Sequence, residues 1–336
     1  MNKIAKTVLM TGTALCAAGV VLSTAGYFAG GKDFTYTSDH MYVSGGNSSS
    51  RKNLTVMKKE QIDDFTKLNV DFEDFDLDIR TSDDDHYYME YKLEKNGRKN
   101  PLTWKDKDGE LTLEESAGGS GSYYITYDLG IFSTHADLTE KKDALNTVVL
   151  YIPEKAQLSE AELQLSDGDI TADQLLCKEM TLELLNGDLM LDKGEFEKFD
   201  AKLSDGDLNV KGLQCTDNMQ LKSGNGDVTI KKAELADGQI ALSDGDLQID
   251  NGSFNGDMKI NSSCGDVSVE MKNGSVEKTN IYLKAADGDV DTEGLSRGKS
   301  DNEEDTSVYE NKAGASAPTL NVKCSDGDIT LTESEK

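Results

Sequence analysis

The stretch "LSDGDI", Leu165–Ile170, decides the fold because it returns: as "LNGDLM" at 185–190, "LSDGDL" at 203–208 and 242–247, "GNGDVTI" at 224–230, "SCGDVSV" at 263–269, "ADGDV" at 286–290 and "CSDGDIT" at 324–330. The glycines of the recurring Gly-Asp pair are Gly168, Gly187, Gly206, Gly226, Gly245, Gly265, Gly288 and Gly327, spaced 19, 19, 20, 19, 20, 23 and 39 residues apart. A period of this length marks a repeat architecture, in which one copy is too small to bury its own apolar face and neighbours must stack. Two residues after each glycine stand Ile170, Leu189, Leu208, Val228, Leu247, Val267, Val290 and Ile329; five before it stand Leu163, Leu182, Ala201, Leu221, Ile240, Ile260, Leu283 and Val322. Nine after it, the first five copies carry Cys177, Phe196, Cys215, Leu235 and Phe254. These columns read as core ladders.

Two all-β architectures place a strand, an Asp-Gly turn and a second strand in this order. In an array of β-hairpins, Leu165 and Ile170 would face each other across a two-residue turn. In a β-solenoid the glycine is a corner of the coil, and each copy stacks on the next at about 4.8 Å. Hairpin connections are free to vary, whereas a stacked coil must keep its perimeter. Five consecutive spacings of 19 or 20 residues favour the β-solenoid. The last spacing then covers two periods, and residues 293–317, "EGLSRGKSDNEEDTSVYENKAGASA", are expected to be an extruded acidic loop.

Gly-Asp is first a corner: glycine serves where φ is positive or where stacked backbones crowd, and an aspartate beside it hydrogen-bonds its own turn. Stacking would also bring successive aspartates to within about 5 Å, where like charges repel. Calcium, which accepts six to eight oxygens, would relieve that repulsion at Asp169, Asp188, Asp207, Asp227 and Asp246. The alternative is that each aspartate caps its turn and faces water. No other cofactor is suggested.

The organisation upstream is different. After Lys3 and Lys6, residues 7–31 carry no charge and are long enough to cross a hydrocarbon core as a helix, with residues 1–6 in the cytoplasm and the bulk of the chain outside. The same stretch also suits a signal peptide, with an apolar run from Val8 to Leu22 and small residues at 23–25. Residues 32–64 read as a polar linker, and residues 65–336 as the β-repeat domain, with strand patterns in "KLNVDFEDFDLDI" and "TVVLYI". The best helical candidate, "DLTEKKDAL" at 137–145, is short.

Composition narrows the function. With 35 Lys and Arg against 63 Asp and Glu, the net charge of -28 argues against nucleic acid, since little would neutralise phosphates. It favours cationic protein or peptide partners. The three histidines, His40, His86 and His135, all precede the repeats, and residues 151–290 contain no His, Arg or Trp, which removes most general-base and oxyanion chemistry from the coils. An enzyme is not expected. The glycine-rich "GGSGS" at 118–122 has no strand-to-helix context for phosphate and reads as a flexible loop. Cys177 and Cys215 lie two copies apart in one column, too far to bridge, and no CxxC spacing supports zinc or a redox pair.

The segments "FTKLNVDFEDFDLDIRTSDDDHYYMEYKL", "DGELTLEES" and "VVLYIPEKAQLSEAELQLSDGDITADQL" with its repeats resemble the bacterial β-strand-repeat proteins called putative adhesins, over roughly Phe65 to Lys336. The resemblance implies a membrane-anchored surface protein, in some relatives part of a cell-envelope stress response, and it carries no catalytic residues across. Three function classes follow: a non-catalytic binding module, a calcium-dependent version of it, and an inert stalk.

Overall fold

The structure is a computed structural model that describes residues 34–36, 41–43, 54–117, 145–292, 295, 297–303 and 306–335; the expected membrane segment, the "GGSGS" loop and all but the last residue of the helical candidate lie outside the described residues. Two units are distinguished. In the first, the described residues form a short antiparallel pair, Phe34–Tyr36 with Met41–Val43. The second, from Thr55, is almost wholly strand and forms a β-solenoid. Among the described residues no helix is long and apolar enough to cross a membrane.

One coil shows why the sequence folds this way. Leu158–Leu165 runs to the Gly168–Asp169 corner, Ile170–Ala172 follows on the next side, and the strand Leu175–Asn186 closes the turn and begins the coil above. Leu165 pairs in parallel with Phe72 and Leu184, and Ile170 with Leu77 and Leu189. Leu165 and Ile170 therefore sit in two different parallel sheets rather than opposite each other, and the hairpin array is excluded. The ladder residues face inward: Ile170, Leu189, Leu208, Val228, Leu247, Val267 and Ile329 are buried, as are Leu163, Leu182, Ala201, Leu221, Ile240, Ile260, Val322 and Leu283, while Val290, at the far end, is only partly covered. Alternation along each strand puts one face into the core and the other into water.

The coils do not stack in chain order throughout. The strands Met258–Cys264 and Val267–Met271 pair in parallel with Thr319–Asp326 and Ile329–Glu333, and these pair in turn with Asn280–Asp287 and Val290–Asp291. The coil nearest the end of the sequence is thus inserted between its two predecessors. This corrects two expectations: the 39-residue spacing does not cover two successive stacked coils, and residues 293–317 are not simply an extruded loop. Lys299–Glu303 and Thr306–Asn311 form an antiparallel pair, and Thr306–Asn311 caps Asn280–Asp287. Its inward residues are Ser307, Tyr309 and Asn311, not leucines. The Asn311 amide donates to the carbonyls of Val276 at 2.9 Å and Thr279 at 3.0 Å, satisfying backbone groups that a further coil would otherwise have met.

The other end is built the same way. Lys67–Phe72 and Asp76–Ser82 pair in parallel with Glu110–Glu115 and Thr147–Pro153, which are capped antiparallel by Leu102–Lys107 and Tyr87–Glu94. Leu54–Ile62, read from sequence as the end of a linker, is a strand beside Tyr87–Glu94. The β-branched Thr55, Val56 and Ile62 suit it to a sheet, and its exposed Lys58, Lys59 and Glu60 protect the edge from further pairing.

A buried ion pair seals this end. Arg98 Nη1 lies 2.7 Å from Glu115 Oε1 and donates to the Ser116 carbonyl at 2.8 Å, with the two side chains only 6% and 2% exposed. Glu115 Oε2 accepts the amide protons of Glu73 at 2.9 Å and Asp74 at 2.7 Å. Removing one partner leaves the other charge buried alone, so Glu115→Ala is expected to cost about 3–5 kcal/mol in urea denaturation. A loss below about 1 kcal/mol would show that water replaces the pair.

Candidate functional site

The corner glycines form a column in which each backbone approaches the one below too closely for a side chain. A Cβ built on Gly168 would lie 2.0 Å from the Phe75 carbonyl oxygen; on Gly187, Gly206, Gly226, Gly245, Gly265, Gly327 and Gly288 it would lie 2.1–2.5 Å from the carbonyl oxygen of the preceding glycine in the stack. This close approach lets the next residue, aspartate, reach across. Asp188 N donates to Asp169 Oδ1 at 2.9 Å, Asp207 N to Asp188 Oδ1 at 2.8 Å, Asp227 N to Asp207 Oδ1 at 2.8 Å and Asp246 N to Asp227 Oδ1 at 2.9 Å. The series continues through Asp266, Asp328 and Asp289, each amide donating at 2.8 Å. Each aspartate therefore ties its own coil to the next one rather than capping its own turn.

The column starts one coil earlier than the Gly-Asp pattern shows. Asp76 Oδ1 accepts the Asp169 amide at 3.0 Å, with Phe75 in the place of glycine. Only the apolar Val70 and Leu77, five residues before and two after Phe75, mark this corner in the sequence, and Leu77 pairs with Ile170 as the corner register requires. Burial pushes the Asp76 carboxyl up from its ordinary range. Hydroxyls close both ends of the column, Thr147 Oγ1 at 3.3 Å from Asp76 Oδ2 and Ser307 Oγ at 3.5 Å from Asp289 Oδ1.

A second column runs beside it, one residue before each glycine, in the stacking order Asp167, Asn186, Asp205, Asn225, Asp244, Cys264, Asp326 and Asp287. Neutral residues separate its first carboxylates. The Asn186 amide donates to Asp167 Oδ1 at 2.7 Å and the Asn225 amide to Asp205 Oδ1 at 2.6 Å. The first column has no such spacers. Together the two columns make an acidic edge along the coils, exposed at every aspartate but the half-buried Asp76 and Asp188.

Asp169, Asp188, Asp207, Asp227 and Asp246 thus stand in line, each with Oδ1 occupied by an amide proton. An ion at these residues would have to use Oδ2 or displace that bond. Among the described residues, no three His, Cys, Asp or Glu side chains are grouped to share a metal. The arrangement predicts a contrast at Asp207. In Asp207→Asn the amide oxygen still accepts the Asp227 proton and one charge leaves a like-charged column, so stability is expected to hold or rise slightly; Asp207→Ala loses the acceptor and about 1 kcal/mol. Thermal melting of the two variants checks this, and equal losses would show that charge rather than the hydrogen bond matters.

Three of the described cysteines are core residues. Cys177 and Cys215 flank Phe196 in one buried column, and burial pushes the Cys177 thiol up to about 12. Its Sγ donates to the Glu179 carbonyl at 3.0 Å. Cys324 is buried as well, and Cys264 is exposed. His86 lies outside the repeats, its amide bound to Asp84 Oδ1 at 2.9 Å; His40 and His135 lie outside the described residues.

No curated protein matches the chain. Among solved structures it is similar to a putative adhesin from Parabacteroides merdae, at 14% identity over 86% of this chain and 98% of that one with a TM-score of 0.37, and to a putative adhesin from Bacteroides fragilis, at 13% over 84% and 98% with a TM-score of 0.36. A putative cell adhesion protein from Clostridium sporogenes aligns at 16% identity over 83% of this chain and all of that one, with a TM-score of 0.23. The family profile Toastrack DUF4097 matches residues 65–332, the whole run from the first buried phenylalanine to the inserted coil, and the chain belongs to that family.

Proposed function

We propose that the chain is a non-catalytic extracellular module, held at the membrane by residues 7–31, that binds cationic peptides or basic protein patches in the cell envelope, in adhesion or in an envelope stress response. The observation that carries this reading is the acidic edge: a column with one carboxylate per coil at about 4.8 Å intervals on mutually bonded coils, flanked by a second column in which asparagines and a cysteine stand between the carboxylates. Weak sites repeated on neighbouring coils add through effective concentration, so a flexible polycation gains affinity without a pocket. The lack of His, Arg and Trp from residues 151–290 supports binding without turnover.

The full chain, solubilised in non-ionic detergent, is expected to bind a cationic antimicrobial peptide more tightly at low salt than at high salt, because exposed charges are screened. The fourfold variant Asp205→Asn, Asp207→Asn, Asp244→Asn, Asp246→Asn should weaken binding severalfold without loss of folding. No binding at low salt would leave an inert stalk as the better reading, and turnover of a glycan or peptide substrate would overturn the non-catalytic one.

A further inference from the structure

Along one face of this acidic protein the later coils carry lysines. On the strands that lead into the corners, the outward position four residues before the glycine carries, in stacking order, Glu114, Asp71, Gln164, Glu183, Lys202, Lys222, Ala241, Asn261, Lys323 and Lys284. Acids occupy the first coils and lysines the last. Lys202 is registered directly against Lys222, and Lys323 against Lys284. Like charges directly opposite on neighbouring strands are destabilising, so nothing in the fold calls for these pairs. Two residues earlier on the same face stand Asp200, Gln220, Gln239, Lys259, Asn321 and Tyr282, again in register, so that a single acid, beside Lys202, belongs to these two rows over the six coils.

Several lysines elsewhere on the coils are matched with acids: Lys67 with Glu160 at 2.7 Å, Lys198 with Glu179 at 2.8 Å, Lys193 with Glu195 at 2.7 Å and Lys211 with Asp192 at 2.7 Å. None of Lys202, Lys222, Lys259, Lys284 and Lys323 forms an ion pair among the described residues. All but the half-buried Lys284 are exposed. The strip thus combines unmatched ammonium groups with side-chain amides and a half-buried tyrosine, over six coils or about 24 Å.

From this charge complementarity we infer that the face is a docking surface for an anionic polysaccharide. The lysines meet carboxylate or phosphate groups along the polymer, while the amides of Gln239, Asn261 and Asn321, which both donate and accept, meet sugar hydroxyls. The strip runs beside the acidic edge, Lys202 three residues from Asp205 and Lys323 three from Asp326 on the same strands, and an anionic polymer on it does not depend on a cationic partner at that edge.

The test uses the full chain in non-ionic detergent with polygalacturonate, a polyglycerol phosphate, neutral dextran and single-stranded DNA as probes, at low salt. Binding to polygalacturonate or polyglycerol phosphate, the stronger of the two identifying the anionic group, and none to dextran, is the expected result. Lys202→Glu/Lys222→Glu should weaken that binding at least tenfold, while Lys155→Glu/Lys232→Glu, which changes net charge equally, should leave it within twofold. Cationic-peptide binding should survive Lys202→Glu/Lys222→Glu, so failure of this inference and failure of the acidic-edge reading are told apart. Thermal melting of both double variants monitors folding, and if Lys202→Glu/Lys222→Glu does not fold, Lys202→Gln/Lys222→Gln replaces it. Equal losses in the two double variants, no binding to either anionic polysaccharide, or tighter binding to DNA than to both would overturn it.

Discussion

Gly206→Val is expected to lower the melting temperature by more than about 10 °C, from a loss of more than about 5 kcal/mol. Two costs add. Gly206 has φ +137, a region closed to a β-branched side chain and worth about 1–3 kcal/mol as strain. The new Cβ would also lie 2.1 Å from the Gly187 carbonyl oxygen. That oxygen cannot retreat, because Gly187 N is held by Asp205 O at 3.1 Å and Leu189 N by Asp207 O at 2.9 Å. Opening the contact would pull the coils apart and break the Asp188–Asp207 link with them. Gly274→Ala is the control: φ is +75 there, but nothing lies within 4 Å of the place its methyl group would occupy, so strain alone should cost about 1 kcal/mol. If both variants melt alike, crowding at the corner is not what requires glycine.

Leu208→Asp is expected to be equally severe. Leu208 is 1% exposed and lies in a column between Leu189 and Val228. Truncating a buried leucine costs about 2–5 kcal/mol, and a carboxylate placed in the same space without a partner adds several more. Because each coil contacts chiefly its neighbours, the damage should start locally. Limited proteolysis is expected to cut within residues 175–244 before the ends are lost. Asn209→Asp, one position along and exposed, adds the same charge and should change stability by less than about 0.5 kcal/mol. Native-like protease resistance in Leu208→Asp would mean that the core ladder is not continuous.

The corner register, the inward columns and the parallel stacking could be read from residues such as Leu163, Gly168 and Ile170, because period and apolar position are properties of the chain itself. The order of the last coils could not. Inserting residues 319–333 before or after residues 280–291 buries the same ladder residues, and a 39-residue gap fits two periods as well as a detour. The first rung was hidden differently: Phe75 stands where the next corners carry glycine, since the coil on its other side presents Asn146 and Thr147 rather than a Gly-Asp corner. Aspartate after glycine was legible as a column, but not that its Oδ1 crosses to the next coil, which depends on side-chain direction. The lysine strip was legible in the same way, since Lys202, Lys222, Lys284 and Lys323 all stand four residues before a corner glycine and Lys284 neighbours Lys323 in either stacking order.

That inserted coil also governs how the structure can be put together and pulled apart. A stack in chain order can grow by adding one turn at a time to an existing end, each turn finding its template as soon as it is made. Here residues 258–271 and 280–291 never touch as partners, and each waits for residues 319–333, across 62 and 39 residues of chain respectively. Closing such long loops is entropically costly and slow, so this end should complete in one late, cooperative step. Once it is closed, tension applied beyond residue 333 meets a strand clasped on both sides, and must shear two parallel ladders together where an end strand would peel from one. Insertion turns the last turn of the spiral into a latch.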